Sequence, residues 1–111
     1  MSLRHYLVSG RVQGVGFRRF VEKQAKEYEV TGVVRNLEDG RVEFYAKGNE
    51  EALAEFDRAV RRGPMLSAVR NVITRTLDKP EGLDEDWTTG LFKIAGDGSQ
   101  PWITDMIKEN S

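Results

Sequence analysis

Gly10-Arg11-Val12-Gln13-Gly14-Val15-Gly16-Phe17-Arg18 lies between a short apolar-rich run, Tyr6-Leu7-Val8, and a helical pattern over residues 17–29. The run before it reads as a strand and the pattern after it as an amphipathic helix. The stretch is therefore a strand-to-helix turn, with two glycines at its centre and an arginine at its exit. Such a turn can hold an anion. Glycine adopts positive φ and lets the backbone approach a ligand closely. Successive amides in a turn can converge on one negative group. The first amides of a helix have no internal partner and sit at the positive end of its dipole. Arg18 adds a fixed charge with a planar fork of donors. On turn chemistry alone, Gly14-x-Gly16 stays open between an anion site and an ordinary structural turn. It is not a dinucleotide fingerprint, because Arg19 stands where the third glycine would fall. It is not a Walker loop, because no Gly-Lys-Ser/Thr follows.

On the N-terminal side of the turn, Tyr6 and Val8 share one face of the first strand (3–12), with His5 and Leu7 on the other. His5 is the only histidine, and a lone strand histidine reads as a surface or packed residue rather than a catalyst. Phe17, Phe20, Val21, Ala25 and Tyr28 recur at helical spacing, so these aromatics are core. Thr31-Gly32 ends the helix and opens a second strand, Val33-Val34-Arg35-Asn36-Leu37. Asp39-Gly40 then signals a hairpin, and Val42, Phe44 and Ala46 point one way on the return strand. Asn49 is a good N-cap, with Glu50 and Glu51 in the first turn of a second helix and Arg61 and Arg62 in its last. Ala52, Leu53, Phe56, Ala59 and Val60 make its apolar stripe, and Gly63-Pro64 stops it. A β-branched run over 68–77 is a further strand. An acidic loop over 78–90 and a short last strand over 91–95 complete this part of the chain.

The order is β-α-β-β-α-β with a final β. Two crossovers around a hairpin give an antiparallel sheet with both helices on one face, the α+β ferredoxin-like sandwich. This unit is expected over residues 3–95, with a C-terminal tail over 96–111. Gly96 to Gly98 resemble a linker. Beyond them Trp102, Ile103, Met106 and Ile107 fall at helical spacing. The tail reads either as disordered or as a flap over apolar surface, on the sheet face opposite the helices or on a partner chain.

The length of 111 residues fits one domain. Seventeen Lys and Arg against 18 Asp and Glu leave a net charge of −1, so no global field draws nucleic acid or an anionic membrane. The absence of cysteine removes disulfides, thiol nucleophiles and thiolate metal sites together. No apolar run approaches a spanning helix and no signal-peptide core opens the chain. A cytoplasmic protein is expected.

A second polar residue belongs beside Arg18. Asn36 ends the second strand just before the hairpin, and the topology can bring it next to the helix entrance. Taken alone, a strand-end asparagine is a cap or turn residue. The two stretches together resemble the acylphosphatase family. Its first signature appears as Gly10-Arg11-Val12-Gln13-Gly14-Val15-Gly16-Phe17-Arg18. Its second appears as Gly32-Val33-Val34-Arg35-Asn36-Leu37-Glu38-Asp39-Gly40-Arg41-Val42-Glu43. The likeness extends over roughly residues 3–95. The tail and the acidic loop fall outside the family's usual pattern.

The resemblance implies a ferredoxin-like hydrolase that cleaves acyl phosphates to a carboxylate and inorganic phosphate. It implies that Arg18 and the backbone amides of Gln13, Gly14, Val15, Gly16, Phe17 and Arg18 bind the phosphoryl group, and that Asn36 orients the attacking water. It implies no metal and no organic cofactor, with phosphate as product and competitive inhibitor. The expected partner is a small-molecule acyl phosphate. A monomer is expected, with a tail-mediated dimer as the alternative. General chemistry agrees. A carboxylate leaving group, whose conjugate acid has a pKa of roughly 4, departs without a general acid. Phosphoryl transfer then needs positioning and charge stabilisation.

Two rival readings keep the fold. One is a non-catalytic phosphate- or carbamoyl-phosphate-binding or regulatory module, since the same signatures occur in a larger maturation factor. The other is an RNA-recognition module, which Tyr6 and Tyr45 could serve as stacking residues. The chain is not basic and the full RNP pattern is missing.

Overall fold

A computed structural model describes residues 1–79, 82 and 90–103. Five strands and two helices run in the order β1 (Ser2–Arg11), α1 (Phe17–Glu27), β2 (Thr31–Asn36), β3 (Val42–Gly48), α2 (Glu50–Arg62), β4 (Ala68–Leu77) and β5 (Lys93–Ile94). They form one sheet in the order β4-β1-β3-β2-β5. The first four strands pair antiparallel throughout. β5 instead runs parallel to β2, through Val33–Lys93 and Val34–Ile94. The ferredoxin-like arrangement thus carries a mixed rather than a purely antiparallel sheet. The pairing resumes beyond β5, where Leu37 and Gly98 form a parallel bridge.

Of the stripe read over α1, Phe17, Val21 and Ala25 bury, whereas Phe20 and Tyr28, also expected in the core, are only half-buried, with Tyr28 packed at the core's edge. Phe17, Val21 and Ala25 of α1 and Leu53, Phe56 and Val60 of α2 close on Tyr6, Val8, Val34, Val42, Phe44 and Ala46 of the sheet. Both helices therefore lie on one face. Tyr6 stacks on Phe44 at 4.6 Å between ring centroids, and Phe56 meets Phe44 edge-on at 5.9 Å. α1 stops at Glu27, before the sequence pattern runs out, because Glu29 turns left-handed (φ 57°) and Val30 donates back to the Ala25 carbonyl at 2.8 Å. Asn49 caps α2 by accepting from the Ala52 amide at 2.8 Å.

The opposite face is covered as well. Leu3, Leu7, Val33, Leu37 and Tyr45 form a second apolar cluster, closed by Ile103 and flanked by Trp102. Among these hydrophobes lies a buried polar cluster. His5 and Glu43 sit at diagonal positions on β1 and β3, with Nε2 and Oε2 2.6 Å apart. The Glu43 carboxylate also accepts from Arg35 Nε at 3.0 Å and from the Trp102 amide at 2.7 Å. The Arg35 guanidinium lies 4.0 Å over the Trp102 ring. A buried carboxylate needs this many partners, since an unpaired one is costly to desolvate. His5 is packed, with no exposure. The tail is thus a cover on this face as far as Ile103. Met106, Ile107 and most of the acidic loop lie outside the described residues.

Candidate functional site

The first strand changes register between Ser9 and Gly10 against β4. A bulge of this kind bends a strand end and re-aims the chain beyond it. The turn from Val12 to Gly16 leaves the sheet there and enters α1. Gly14 (φ 73°) and Gly16 (φ 77°) are both left-handed, and a Cβ at either would meet nothing within 4 Å. Conformation, not crowding, demands glycine at these two positions, and the space beside them is open to a ligand.

Gly16 is the N-cap of α1, and no side chain caps the helix; its first turn holds no acidic residue but does hold Arg18 and Arg19. α2 shows the ordinary alternative in the same chain, with an Asn49 cap and Glu50 and Glu51 in its first turn. Free amides and cations at the positive end of a helix favour an anion supplied from outside.

A cavity of about 140 Å³ opens at this point, lined by Val12, Gln13, Gly14, Gly16, Phe17, Arg18, Arg19 and Asn36. One water needs ~10–15 Å³ by this measure, so the cavity admits a small polyatomic anion together with solvent. Five of the six turn residues read from the sequence line it, and so does Asn36. Val15 does not. It packs against the helix-side core instead, which leaves at most its main chain to the site. The Asn36 Oδ1 atom is buried with no hydrogen-bond partner among the described residues. Buried polar atoms are nearly always paired, so an unpaired acceptor at a cavity wall calls for a donor from a ligand or a bound water.

Two further residues carry no mark of the site in the sequence. Arg19 falls outside the buried stripe of α1, yet it lines the cavity. Asp97 Oδ1 lies 3.5 Å from Arg18 Nη1. Nothing local marks it: between Gly96 and Gly98 it looks like part of a linker. Only the parallel pairing along β2 brings it to the site. The Gln13 side chain also has a task the turn pattern does not reveal. Its Nε2 donates to the carbonyls of Leu37 at 2.7 Å and Arg41 at 2.9 Å, tying the turn to the β2–β3 hairpin. That hairpin is closed by Asp39, which accepts from the Arg41 amide at 3.0 Å and from its guanidinium. The Arg41 hydrogen bonds hold the Asp39 carboxyl below the usual carboxylate range. Among the described residues no three His, Asp or Glu side chains converge as a metal site would require, and no helix is long and apolar enough to cross a membrane.

Comparison with known proteins adds a family to this geometry. The acylphosphatase family model matches residues 4–87. An acylphosphatase of Bacillus velezensis is 52% identical over 68 residues, 61% of this chain and 76% of that one. One of Nitratidesulfovibrio vulgaris is 41% identical over 100 residues, 90% of this chain and 100% of that one. The crystal structure of an acylphosphatase from Bacillus subtilis superposes with a TM-score of 0.75 at 39% identity, covering 86% of this chain and 99% of that one.

Proposed function

The chain belongs to the acylphosphatase family and is an enzyme that hydrolyses acyl phosphates, and from that premise we propose that the cavity at the start of α1 is where it does so. The phosphoryl group sits against the main-chain amides of residues 13–18. Arg18 grips its oxygens, and Asn36 Oδ1 accepts a hydrogen bond from the attacking water. One observation carries this reading: an uncapped helix start bearing two arginines shares its cavity with the unpaired buried Oδ1 of Asn36.

Each part has a physical task. Water adds to phosphorus as the P–O bond to the acyl oxygen breaks, and that bond's electron pair leaves with the carboxylate. Because the carboxylate is stable at neutral pH, no acid has to protonate it. The water's protons pass to the departing phosphate and to solvent. Charge on the phosphoryl oxygens through the transition state is met by fixed amides and a guanidinium, which need little reorganisation. An asparagine is too weak a base to take the water's proton, so its part is aim. We further read the enzyme as cytoplasmic and monomeric, with inorganic phosphate competing for the same amides.

The experiment is phosphate inhibition of benzoyl phosphate hydrolysis by the wild-type protein and Arg18→Ala. A charge-assisted bond of about 1.5–3 kcal/mol predicts an inhibition constant raised roughly ten- to a hundredfold. Unchanged inhibition would remove Arg18 from the site.

A further inference from the structure

Asp97 sets a carboxylate beside the guanidinium assigned above to phosphate. The contact is 3.5 Å, with the Arg18 side chain 38% and the Asp97 side chain 65% exposed. The backbone around Asp97 is held on both sides. The Ala95 amide donates to the Val34 carbonyl at 2.8 Å, the Gly98 amide to the Asn36 carbonyl at 3.0 Å, and the Glu38 amide to the Gly98 carbonyl at 2.9 Å. Gly98 lies so close under the Arg35 guanidinium that a Cβ there would collide with it. Trp102 and Ile103 then anchor the segment on the far face of the sheet. Asp97 is therefore held by its main chain beside Arg18, a residue of the cavity wall, while its exposed side chain can turn.

We propose that Asp97 is a specificity residue, a built-in counter-ion that occupies Arg18 in the empty site and yields more readily to a doubly charged phosphoryl group than to a monoanion. The inference rests on the assignment of Arg18 to phosphate. An ion pair this exposed is weak, so a phosphoryl dianion bound also by amides displaces it. A singly charged anion gains less from Arg18 yet has the same Arg18–Asp97 pair to displace. The residue thereby raises the Michaelis constant for acyl phosphates, weakens product phosphate, and disfavours small monoanions. It touches no reacting atom, so the rate of the bound complex is left to the amides, Arg18 and Asn36.

The test compares four full-length proteins: wild type, Asp97→Asn, Arg18→Ala and the double variant. Inorganic phosphate is the probe and benzoyl phosphate the substrate. Asp97→Asn keeps the shape and removes the charge, and its thermal midpoint checks the fold. At low ionic strength it should bind phosphate about two- to fivefold more tightly, the scale of an exposed ion pair. KM should fall by the same factor with kcat within about twofold. Added salt should shrink the difference, and in the Arg18→Ala background most of it should vanish. If Asp97→Asn binds phosphate as the wild type does, or more weakly, while Arg18→Ala loses inhibition, the counter-ion role is wrong and the site reading stands. If Arg18→Ala also inhibits normally, both are overturned.

Discussion

Gln13 and Leu37, 24 positions apart, are joined by a 2.7 Å hydrogen bond from Nε2 to the Leu37 carbonyl. It runs from the glycine turn to the residue after Asn36, so the two halves of the candidate site are held to each other and not merely to the sheet. The same nitrogen reaches the Arg41 carbonyl at 2.9 Å. One amide group therefore spans the turn and both sides of the β2–β3 hairpin.

Replacing Gln13 by Ala should loosen that register. Leu37 and Arg41 carbonyls keep backbone partners, Gly40 and Leu37 respectively, so the stability loss should be about 1–3 kcal/mol for two hydrogen bonds. Activity should suffer more than stability suggests, by roughly tenfold or more in kcat, because small displacements of reacting groups are costly. Gln13→Glu should be worse on both measures, since it turns a carboxylate toward two carbonyl oxygens. Urea unfolding and benzoyl phosphate kinetics on both variants would read this. Equal kcat in Gln13→Ala and the wild type would show that the strut does not position the site.

Asn36 should separate rate from binding. Asn36→Ala removes the acceptor proposed for the attacking water and should lower kcat by ~10²–10³, the scale of a lost preorganised group, with KM nearly kept. Asn36→Asp keeps an acceptor but adds a negative charge facing the phosphoryl group, so KM and the phosphate inhibition constant should both rise. Steady-state kinetics on the pair checks it. A variant with alanine at 36 and full kcat would take Asn36 out of the reaction.

The cover on the second face is a stability element. Ile103 is 1% exposed and closes a cluster with Leu3, Leu7, Val33, Leu37 and Tyr45. Ile103→Ala should cost about 2–4 kcal/mol, seen as a lower urea midpoint with an unchanged slope. Loss of less than half of that would mean that the segment is not a working part of the core.

What the sequence discloses is what local pattern encodes. Helical spacing finds Phe17, Val21, Ala25, Leu53, Phe56 and Val60, and turn chemistry finds Asp39-Gly40 and the glycine turn. Those signals need only neighbours within a few positions. The parallel joining of β5 to β2 and the reach of Trp102 and Ile103 across the sheet depend on contacts some 60 positions apart, which a short strand and a glycine-flanked aspartate do not announce. Glu43 is the sharpest instance. On an alternating strand an acidic residue reads as solvent-facing, yet it is wholly buried, because His5, Arg35 and the Trp102 amide satisfy it together. Arg18 and Asn36 are legible as a pair because two long motifs resemble a family; their residue types alone leave both open.

Tyr6 should govern part of the alkaline limit of the fold. Its ring is fully buried on the helix side of the sheet, and its hydroxyl donates to Asp57 Oδ1 at 2.9 Å. Burial, first of all, pushes its pKa up to about 12. An exposed tyrosine ionises near pH 10, so in the unfolded chain the proton leaves first. The neutral hydroxyl therefore supports the native state fully below pH 10, and that support drains away as pH climbs toward 12. The total is about 3 kcal/mol at most. Tyr6→Phe keeps the ring, loses the hydrogen bond, and cannot ionise. It should start about 1 kcal/mol less stable at neutral pH and fall less steeply above pH 10, so the two stability curves converge or cross. Urea unfolding of both proteins from pH 8 to 12 measures the difference, in which the other titrating groups cancel. Parallel curves over that range would mean that Tyr6 ionises no later in the native protein than in the unfolded one.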